Sequence, residues 1–259
     1  MPPACKMSGV GVFYYPIFTN LHTLFYQHNK HNMKLHFYSL ALLIVATACQ
    51  QNETTFISSS DSNIVYTGRV SHATQGQVSF TYPGVSISAS FTGTSVAAKV
   101  RPNSGYFMVE LDDQQPFKIK ASETDSTLNI STSLSQGEHH IKLIYAQEGY
   151  EQNPTFYGFI IDANAQMLPH PPLPNRRIEF IGNSITCGYG VEADSATEHF
   201  SYDTENHYYT YAAITARTLN AQELVVARSG IGIYKNYGGP IEGTQGLTMP
   251  DKYHLALFT

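Results

Sequence analysis

The sequence has no tryptophan, only three cysteines and few charged residues, and each shortage excludes a class of protein. Its cysteines, at positions 5, 49 and 187, are too few and too scattered for a disulfide framework or a zinc site. Charged residues make up 14% of the 259 residues, the formal net charge is −5 and no Lys/Arg cluster occurs, so nucleic acid is a poor candidate partner. Apolar residues make up 42%, enough to build a core, which argues against wholesale disorder. We therefore expect one large or two modest folded domains, with no metal and no cofactor.

The amino-terminal part has the features of an export signal. A basic start at Met33–Lys34 precedes an apolar run over residues 40–45, and the small residues Ala46–Ala48 then lead directly to Cys49. A cysteine in this place resembles a bacterial lipoprotein signal, in which the cysteine is lipidated and becomes the first residue. The apolar run is shorter than the ~20 residues of a spanning helix, and the alternative is a short membrane anchor with an incidental cysteine. Residues 33–49 thus predict an exported lipoprotein, anchored at the periplasmic or cell-surface side.

The segments on either side of this signal have different compositions. Residues 1–32 are rich in aromatics, His and Asn, contain no acidic residue and show no sustained period. Our hypothesis is that Met33 is the biological start and that residues 1–32 are an upstream extension. Residues 50–63 are rich in Ser, Thr, Asn and Gln, a composition typical of a flexible tether.

Short alternating runs fill residues 64–168 and predict strands. Val85–Phe91 and Tyr106–Leu111 are examples, and turn residues separate such runs throughout. Eight or so strands at this spacing predict an all-β sandwich or jelly roll. Asp112–Asp113 fits a hairpin turn, and Glu138–His140 fits the start of a strand, without a third residue to complete a metal site. The proline-rich residues 169–175 predict a stiff linker between this domain and the next.

The stretch Ile178–Gly190 contains the strongest candidate for chemistry. An apolar, strand-like run ends at Gly182, and Ser184 follows in a small polar turn. A strand that ends in a glycine turn presents the next side chains at the carboxyl edge of a parallel sheet, where such sheets place their sites. Ser184 could therefore be an exposed and rigidly held nucleophile. The alternative is a plain strand and turn with an incidental serine.

A second strand and loop strengthen the case for Ser184. We predict a helix that begins at the N-cap Thr204 and ends near Leu219, with Glu205 in its first turn, followed by a buried strand over Glu223–Ala227. The loop of small residues after this strand contains Gly230. Because parallel strands end at one edge, the two loops should converge, with the amides of Ser184 and Gly230 as oxyanion donors.

The general base that a nucleophilic serine needs is not evident from the pattern. His199, His207 and His254 are the histidines in this part of the chain, and each is equally well explained as an ordinary surface residue.

The segment Arg176–Gly190 resembles the first conserved block of the SGNH (GDSL-type) hydrolases, in the form found in carbohydrate esterase family 2. Further segments resemble that family over roughly residues 64–257, including Thr204–Asn206, Ser229–Tyr237 and Thr248–Asp251. The resemblance implies a jelly roll followed by a flavodoxin-like α/β hydrolase domain. It also implies a serine esterase that removes acetyl groups from xylan or related plant polysaccharides, with Ser184 as nucleophile. Residues Gly182, Asn183 and Ser184 stand where this family more commonly has Gly-Asp-Ser. We expect this change to be tolerated, because Asn183 cannot carry a charge but can still form hydrogen bonds.

Two conserved blocks of this family have no counterpart in the sequence. They are the Gly-Thr-Asn-Asp-like segment and the late block that contains the catalytic histidine. Residues 176–259 are also short for a doubly wound domain, which typically needs ~150 residues. We therefore expect an incomplete hydrolase domain, with its base beyond Thr259 and little activity in this chain. The alternatives are a carbohydrate-binding or catalytically inactive lipoprotein, and a truncated product that folds only over the sandwich.

Overall fold

The computed structural model describes residues 53–258, which lie within one compact unit formed by residues 52–259. The predictions for residues 1–32, for the signal at 33–49 with Cys49, and for the start of the tether lie outside the described residues. Within the described residues the prediction of a flexible tether over 50–63 is wrong, because Thr54–Ser58 forms a strand that pairs with residues 158–162. Between residues 53 and 258 no helix has the length and apolar character needed to cross a membrane.

The first part of the described chain is built from short strands. In chain order they are β1 (Thr54–Ser58), β2 (Val65–Thr67), β3 (Val78–Ser79), β4 (Ser86–Gly93), β5 (Val96–Val100), β6 (Tyr106–Leu111), β7 (Phe117–Lys120), β8 (Thr127–Ser131), β9 (Gly137–Tyr145), β10 (Thr155–Asp162) and β11 (Met167–Leu168). One sheet has the order β1-β10-β5-β8, with β3 also paired to β10. The other has the order β11-β4-β9-β6-β7, with β2 also paired to β4. Every pairing is antiparallel, and residues 54–168 are called the two-sheet region below.

One hydrophobic core lies between these two sheets. Apolar side chains from β4, β5, β6, β9 and β10 form a single buried cluster. At its centre the rings of Phe80, Phe107 and Tyr145 contact one another edge to face, with centroids 5.2 to 6.3 Å apart. Such aromatic contacts add specific geometry to the burial of a large apolar area. The strands predicted from alternation are therefore found, and they share one core.

The other face of β4 departs from simple alternation. Its serines, Ser86, Ser88 and Ser90, are buried, although the pattern predicts one face in water. Ser86 and Ser88 line a cavity together with residues of the later part of the chain, so a second layer covers this face. Ser90 Oγ lies 2.8 Å from His140 Nδ1, which gives that hydroxyl a partner away from water.

The second part of the described chain, residues 176–258, contains a strand–helix–strand unit and is called the parallel region. Its elements are β12 (Arg176–Gly182), the one-turn helix α1 (Ser184–Cys187), a 3-10 turn (His207–Tyr209), α2 (Tyr211–Thr218), β13 (Ala221–Ala227) and α3 (Met249–Lys252). β12 and β13 pair in parallel, in a register that runs from Arg176 opposite Ala221 to Gly182 opposite Ala227. The prediction of two parallel strands is confirmed.

The predicted start of the main helix is wrong. α2 begins at Tyr211, and its N-cap is Thr210, whose hydroxyl accepts the Ala213 amide. The segment Thr204–Glu205 precedes the 3-10 turn and is not helical. A tertiary hydrogen bond shapes this stretch, because the His207 amide donates to the Ala146 carbonyl of the two-sheet region at 2.7 Å. A contact distant in sequence therefore replaces the local cap that the pattern predicts.

The parallel region packs directly against the two-sheet region. Tyr82 of the two-sheet region forms a buried cluster with Val226, Ile231, Met249 and Phe258. A second cluster joins Tyr208 to residues of β6 and β9. Apolar side chains of the later region are thus buried by the earlier one, and this contact fixes the position of β13 and its following loop.

Candidate active site

Ser184 lies where the sequence predicts it, directly beyond the carboxyl end of β12. Asn183 is the N-cap of α1, and its side chain accepts the Ile185 amide at 3.3 Å. Ser184 is therefore the first residue of a one-turn helix and is partly exposed. Gly188, with φ of 95°, ends this turn and donates its amide to the Ser184 carbonyl. Hydrogen bonds on both sides thus fix the backbone of the candidate nucleophile.

Two glycines of this turn are required by close packing. A Cβ at Gly182 would lie 2.0 Å from Thr186 Oγ1, so no side chain fits where β12 meets α1. A Cβ at Gly188 would lie 2.5 Å from a backbone carbon of Asn206, and its positive φ also favours glycine. The glycines that flank Ser184 in sequence therefore allow a tight turn.

The loop after β13 begins level with the turn that holds Ser184. Gly182 pairs with Ala227, so both parallel strands end together at one edge of their sheet. Gly230 has φ of 74°, and its carbonyl accepts the Tyr237 amide at 2.8 Å. This is the arrangement expected for two loops that contribute to one site at the carboxyl edge of a sheet. The oxyanion roles of the Ser184 and Gly230 amides stay predictions.

The candidate bases do not pair with Ser184. Within residues 53–258 the Ser184 hydroxyl makes no hydrogen bond, and His199 and His254 are exposed. His207 is fully buried, with Nδ1 2.6 Å from the Thr186 carbonyl and Nε2 2.9 Å from a Glu223 carboxylate oxygen. Both of its ring nitrogens thus face acceptors, so this imidazole is engaged in a structural contact.

The histidine pair of β9 also has structural partners. His139 is buried, with Nδ1 2.7 Å from Asp112 Oδ2 and Nε2 2.8 Å from the Ser135 carbonyl. His140, the next residue, is exposed, because successive side chains of a strand point to opposite faces. Asp112 lies in the turn that follows β6, as predicted.

Sequence reasoning missed a buried polar cluster behind Ser184. It consists of Glu148 from the loop after β9, Cys187 from α1, and Glu205, and each of them is at most 3% exposed. Glu148 Oε2 accepts the Ser229 amide at 2.6 Å and lies 3.4 Å from Cys187 Sγ. Glu205 Oε1 accepts the Glu148 amide at 3.2 Å. The prediction that Glu205 lies in the first turn of a helix is wrong, because Glu205 is buried in a non-helical segment before the 3-10 turn.

Burial controls the protonation of this cluster. Desolvation, followed by the charge of the neighbouring Glu148, raises the pKa of Glu205 to about 9. Desolvation also raises the pKa of the Cys187 thiol well above its usual range, and both carboxyls of the cluster add to that effect. At neutral pH Glu205 and Cys187 therefore keep their protons.

The same three side chains are the candidate metal ligands of the described residues. One ligand atom from each lies within 4.8 Å of the others, close enough for a single ion to contact all three. However, Glu148 Oε2 already accepts the Ser229 amide, and the protonated Cys187 thiol lies in contact with that oxygen. The cluster is therefore satisfied in part by the protein's own donors.

Exposed aromatic side chains lie in the segments that follow the two parallel strands. The rings of Tyr189 and Phe200 stack, with centroids 4.1 Å apart, and Tyr189 follows α1. Tyr234 and Tyr237 in the loop beyond Gly230 are 64% and 95% exposed.

A cavity of about 420 Å³ lies elsewhere, between β4, β9 and the start of β13, and Ser184 does not line it. We regard the strand ends, not this cavity, as the candidate active site, because they hold Ser184 on a fixed turn at the carboxyl edge of the parallel sheet.

Comparison with known proteins identifies the class first. Residues 66–171 match the family model described as carbohydrate esterase 2 N-terminal. This match covers most of the two-sheet region, which is therefore similar to the N-terminal domain of that family. Beyond that domain, similarity to curated proteins and solved structures continues through the serine turn.

The chain is 34% identical to the cellulase/esterase CelE of Acetivibrio thermocellus over 197 residues, covering 75% of this chain and 23% of that protein. It is 29% identical to an acetylxylan esterase / glucomannan deacetylase of Cellvibrio japonicus over 213 residues, covering 82% of this chain and 58% of that protein. The chain thus spans a quarter to somewhat over half of the length of these relatives.

Solved structures give the same family. The structure of a family two carbohydrate esterase from Cellvibrio japonicus superposes with a TM-score of 0.70 at 28% identity, covering 80% of this chain and 61% of that one. A family two carbohydrate esterase from Clostridium thermocellum in complex with cellohexaose gives 0.65 at 34% identity, covering 74% of this chain and 58% of that one. The chain is accordingly similar to family 2 carbohydrate esterases, and residues 66–171 match the model of their N-terminal domain.

Proposed function

We propose that this chain is part of a serine carboxylic-ester hydrolase that removes acetyl groups from xylan or related polysaccharides. The observation that carries the proposal is the position of Ser184, on a one-turn helix at the end of β12 and level with the loop that contains Gly230. Relatives named acetylxylan esterase / glucomannan deacetylase support the substrate class.

In the proposed reaction the Ser184 hydroxyl attacks the acetyl carbonyl carbon while a base takes its proton. The amides of Ser184 and Gly230 stabilise the resulting oxyanion. Collapse of this intermediate releases the sugar hydroxyl, which receives the proton, and leaves Ser184 acetylated. Water then hydrolyses this ester and frees acetate. No histidine within residues 53–258 forms a hydrogen bond with the Ser184 hydroxyl, so we expect this chain alone to be only weakly active.

The missing base suggests a direct test with added imidazole. Wild-type chain and Ser184→Ala are incubated with acetylated xylan, with and without imidazole, and released acetate is measured. We expect imidazole to accelerate release by the wild type, because it can accept the proton of Ser184, and to leave the variant at the enzyme-free rate. Ser195→Ala, in the exposed loop after α1, is the control and should behave like the wild type. Equal release by Ser184→Ala and the wild type would refute the proposal.

We also propose the finer fold assignment that the sequence implies. The two-sheet region would be a jelly roll, and the parallel region the first part of an SGNH-type, flavodoxin-like sheet. The two antiparallel sheets around one core and the parallel β12–β13 pair support this assignment. The domain boundary at residues 169–175 belongs to the same proposal.

Export as a lipoprotein through Cys49 is a further proposal, which rests on the sequence pattern alone. Labelled palmitate should be incorporated into the protein in a bacterial host, and Cys49→Ser should abolish incorporation. Labelling that persists in Cys49→Ser would contradict it. We propose two partners. One is a membrane, contacted through this lipid, and the other is an acetylated plant polysaccharide.

A second candidate function is carbohydrate binding without turnover. It is favoured by the absence of a described histidine on Ser184 and by the exposed Tyr189, Tyr234 and Tyr237, whose rings could stack on sugars. A related esterase has been solved in complex with cellohexaose. Cello- or xylo-oligosaccharide affinity that persists in Ser184→Ala, with no acetate release by the wild type under imidazole, would favour this function.

A further inference from the structure

The loop after β9 sends one carboxylate from the two-sheet region into the back of the candidate active site. Glu148 belongs to this loop and is 3% exposed. Its Oε2 accepts the Ser229 amide at 2.6 Å, and Ser229 directly precedes Gly230. The same oxygen lies 3.4 Å from the sulfur of Cys187, which is three residues after Ser184 on α1. One oxygen therefore contacts both segments that the proposed mechanism uses.

We propose that Glu148 is a positioning residue of the esterase site, holding α1 and the Ser229–Gly230 loop in fixed relation to each other. This inference rests on the proposed function. It assigns to the two-sheet region a direct role in shaping the site, in addition to its role as a folded support.

The geometry around Gly230 explains why a hydrogen bond to its neighbour matters. The Ser229 amide, on one side of the Gly230 amide, is held by Glu148. The Gly230 carbonyl, on the other side, is held by the Tyr237 amide at 2.8 Å. Gly230 has a positive φ and no side chain to restrict it, so without these bonds its amide could turn away from an oxyanion. Oxyanion donors are effective only when their orientation is fixed before the reaction.

Burial makes this contact strong and specific. Hydrogen bonds to a carboxylate are shorter and stronger than neutral ones, and a low dielectric increases the difference. Glu205 supports the arrangement, because its Oε1 accepts the amide of Glu148 itself at 3.2 Å. This hydrogen bond fixes the backbone at Glu148, and with it the point from which the side chain reaches Ser229 and Cys187.

Three variants and a control test the contact in this chain by peptide-resolved hydrogen exchange. Glu148→Ala removes the acceptor, Glu148→Asp keeps the charge but shortens the reach, and Glu148→Gln keeps an acceptor at the same distance. Glu123→Ala, an exposed acidic residue of the two-sheet region, is the control. For the Ala and Asp variants we expect exchange to accelerate about tenfold to a hundredfold in peptides that cover residues 184–190 and 228–233, as for loss of a hydrogen bond to a charged group. Glu148→Gln and the control should retain most of the protection.

If Glu148 acts by positioning the site, its variants should affect kcat in the imidazole assay much more than KM. Glu148→Ala and Glu148→Asp should lower kcat about tenfold to a hundredfold with KM changed less than threefold, and Glu148→Gln should restore most of kcat. Unchanged exchange in both segments, or acceleration spread equally over β4, β6 and β9, would overturn the inference. If the wild type releases no acetate while the exchange results are as expected, the proposed function fails and the contact itself is upheld. If the wild type is active and Glu148→Ala matches it, the inference fails alone.

Discussion

The two regions of the described chain differ in where their apolar side chains are buried. The two-sheet region encloses one large cluster contributed almost entirely by its own strands. The parallel region has only small clusters, and two of the three clusters that contain its residues also contain side chains of the two-sheet region, Tyr82 in one and Met108 and Ile144 in the other. Meanwhile Ile181 of β12 and Ile214 of α2 are about half exposed.

This difference indicates that the two regions are stabilised in different ways. The two-sheet region buries enough apolar surface for a self-sufficient core, whereas the parallel region relies on packing against it. Polar contacts show the same dependence, since the segment before α2 and the loop before Gly230 both bond to residues of the two-sheet region. Four predictions, from the largest expected effect to the smallest, test this asymmetry.

Loss of the core of the two-sheet region should unfold both regions together. Phe107 is fully buried between the sheets, so Phe107→Ala should lower the free energy of unfolding by about 3–5 kcal/mol. Chemical denaturation followed by circular dichroism measures this loss. Phe56→Ala is the matched control, because Phe56 is half exposed on β1 and should cost less than about 1 kcal/mol. A parallel region that stayed protected in Phe107→Ala would contradict the proposed dependence.

Removal of a shared side chain should loosen the parallel region selectively. Tyr82 is fully buried against Val226, Ile231 and Phe258, and its ring meets that of Phe258 edge to face. Tyr82→Ala should cost about 3 kcal/mol locally, seen as faster hydrogen exchange over residues 221–258. The strands β6 and β9 should keep their protection. Equal acceleration in both regions would show that they unfold as one unit.

Glu205 should make stability depend on pH. Its folded pKa of about 9 is above the unfolded value of 4.5, so its contribution is fully present below pH 4.5 and is lost as pH rises towards 9. Glu205→Gln removes this titration, so its stability relative to the wild type should rise by about 2–3 kcal/mol between pH 6 and pH 8. Denaturant titrations at the two pH values measure the change. Glu138→Gln, an exposed substitution on β9, should show no such trend.

The smallest effect should come from an ion pair between the two regions. Arg69 of the two-sheet region lies 3.1 Å from Glu179 of β12, with both side chains partly exposed. A double-mutant cycle with Arg69→Met and Glu179→Gln should give a coupling of about 0.2–1 kcal/mol, which decreases in high salt. The cycle is needed because Arg69 also stacks on Tyr253. Coupling well above this range would mean that charge, more than apolar packing, joins the regions.

Local pattern predicted the strands and the serine turn well. Strands such as β4 and β7 follow from the two-residue period of their sequences, and Gly182 before Ser184 marks the end of β12. These features depend on neighbours in sequence. The parallel pairing of β12 with β13 could also be predicted, because a helix between two buried strands favours it.

Features set by contacts between the regions could not be predicted. Nothing near Glu148 in sequence shows that it reaches the Ser229 amide, 81 residues later. The start of α2 could not be predicted, because residues 204–209 bond to Ala146, which follows β9, and to Gly188 at the end of α1 in preference to forming a regular helix. His207, one of the histidines considered as a base, is likewise fixed by Glu223, a partner that only the folded chain brings near.

The Glu148 contact limits how far the molecule can be treated as modular. Residues 169–175 look like a convenient junction for exchanging N-terminal domains between relatives. A chimaera cut there would inherit α1 and the Gly230 loop from one parent and the carboxylate that holds them from the other. A donor domain without a matching acidic side chain would leave the Ser229 amide buried and unpaired. Recombination libraries built on this fold should therefore keep residues 146–154 with the parallel region.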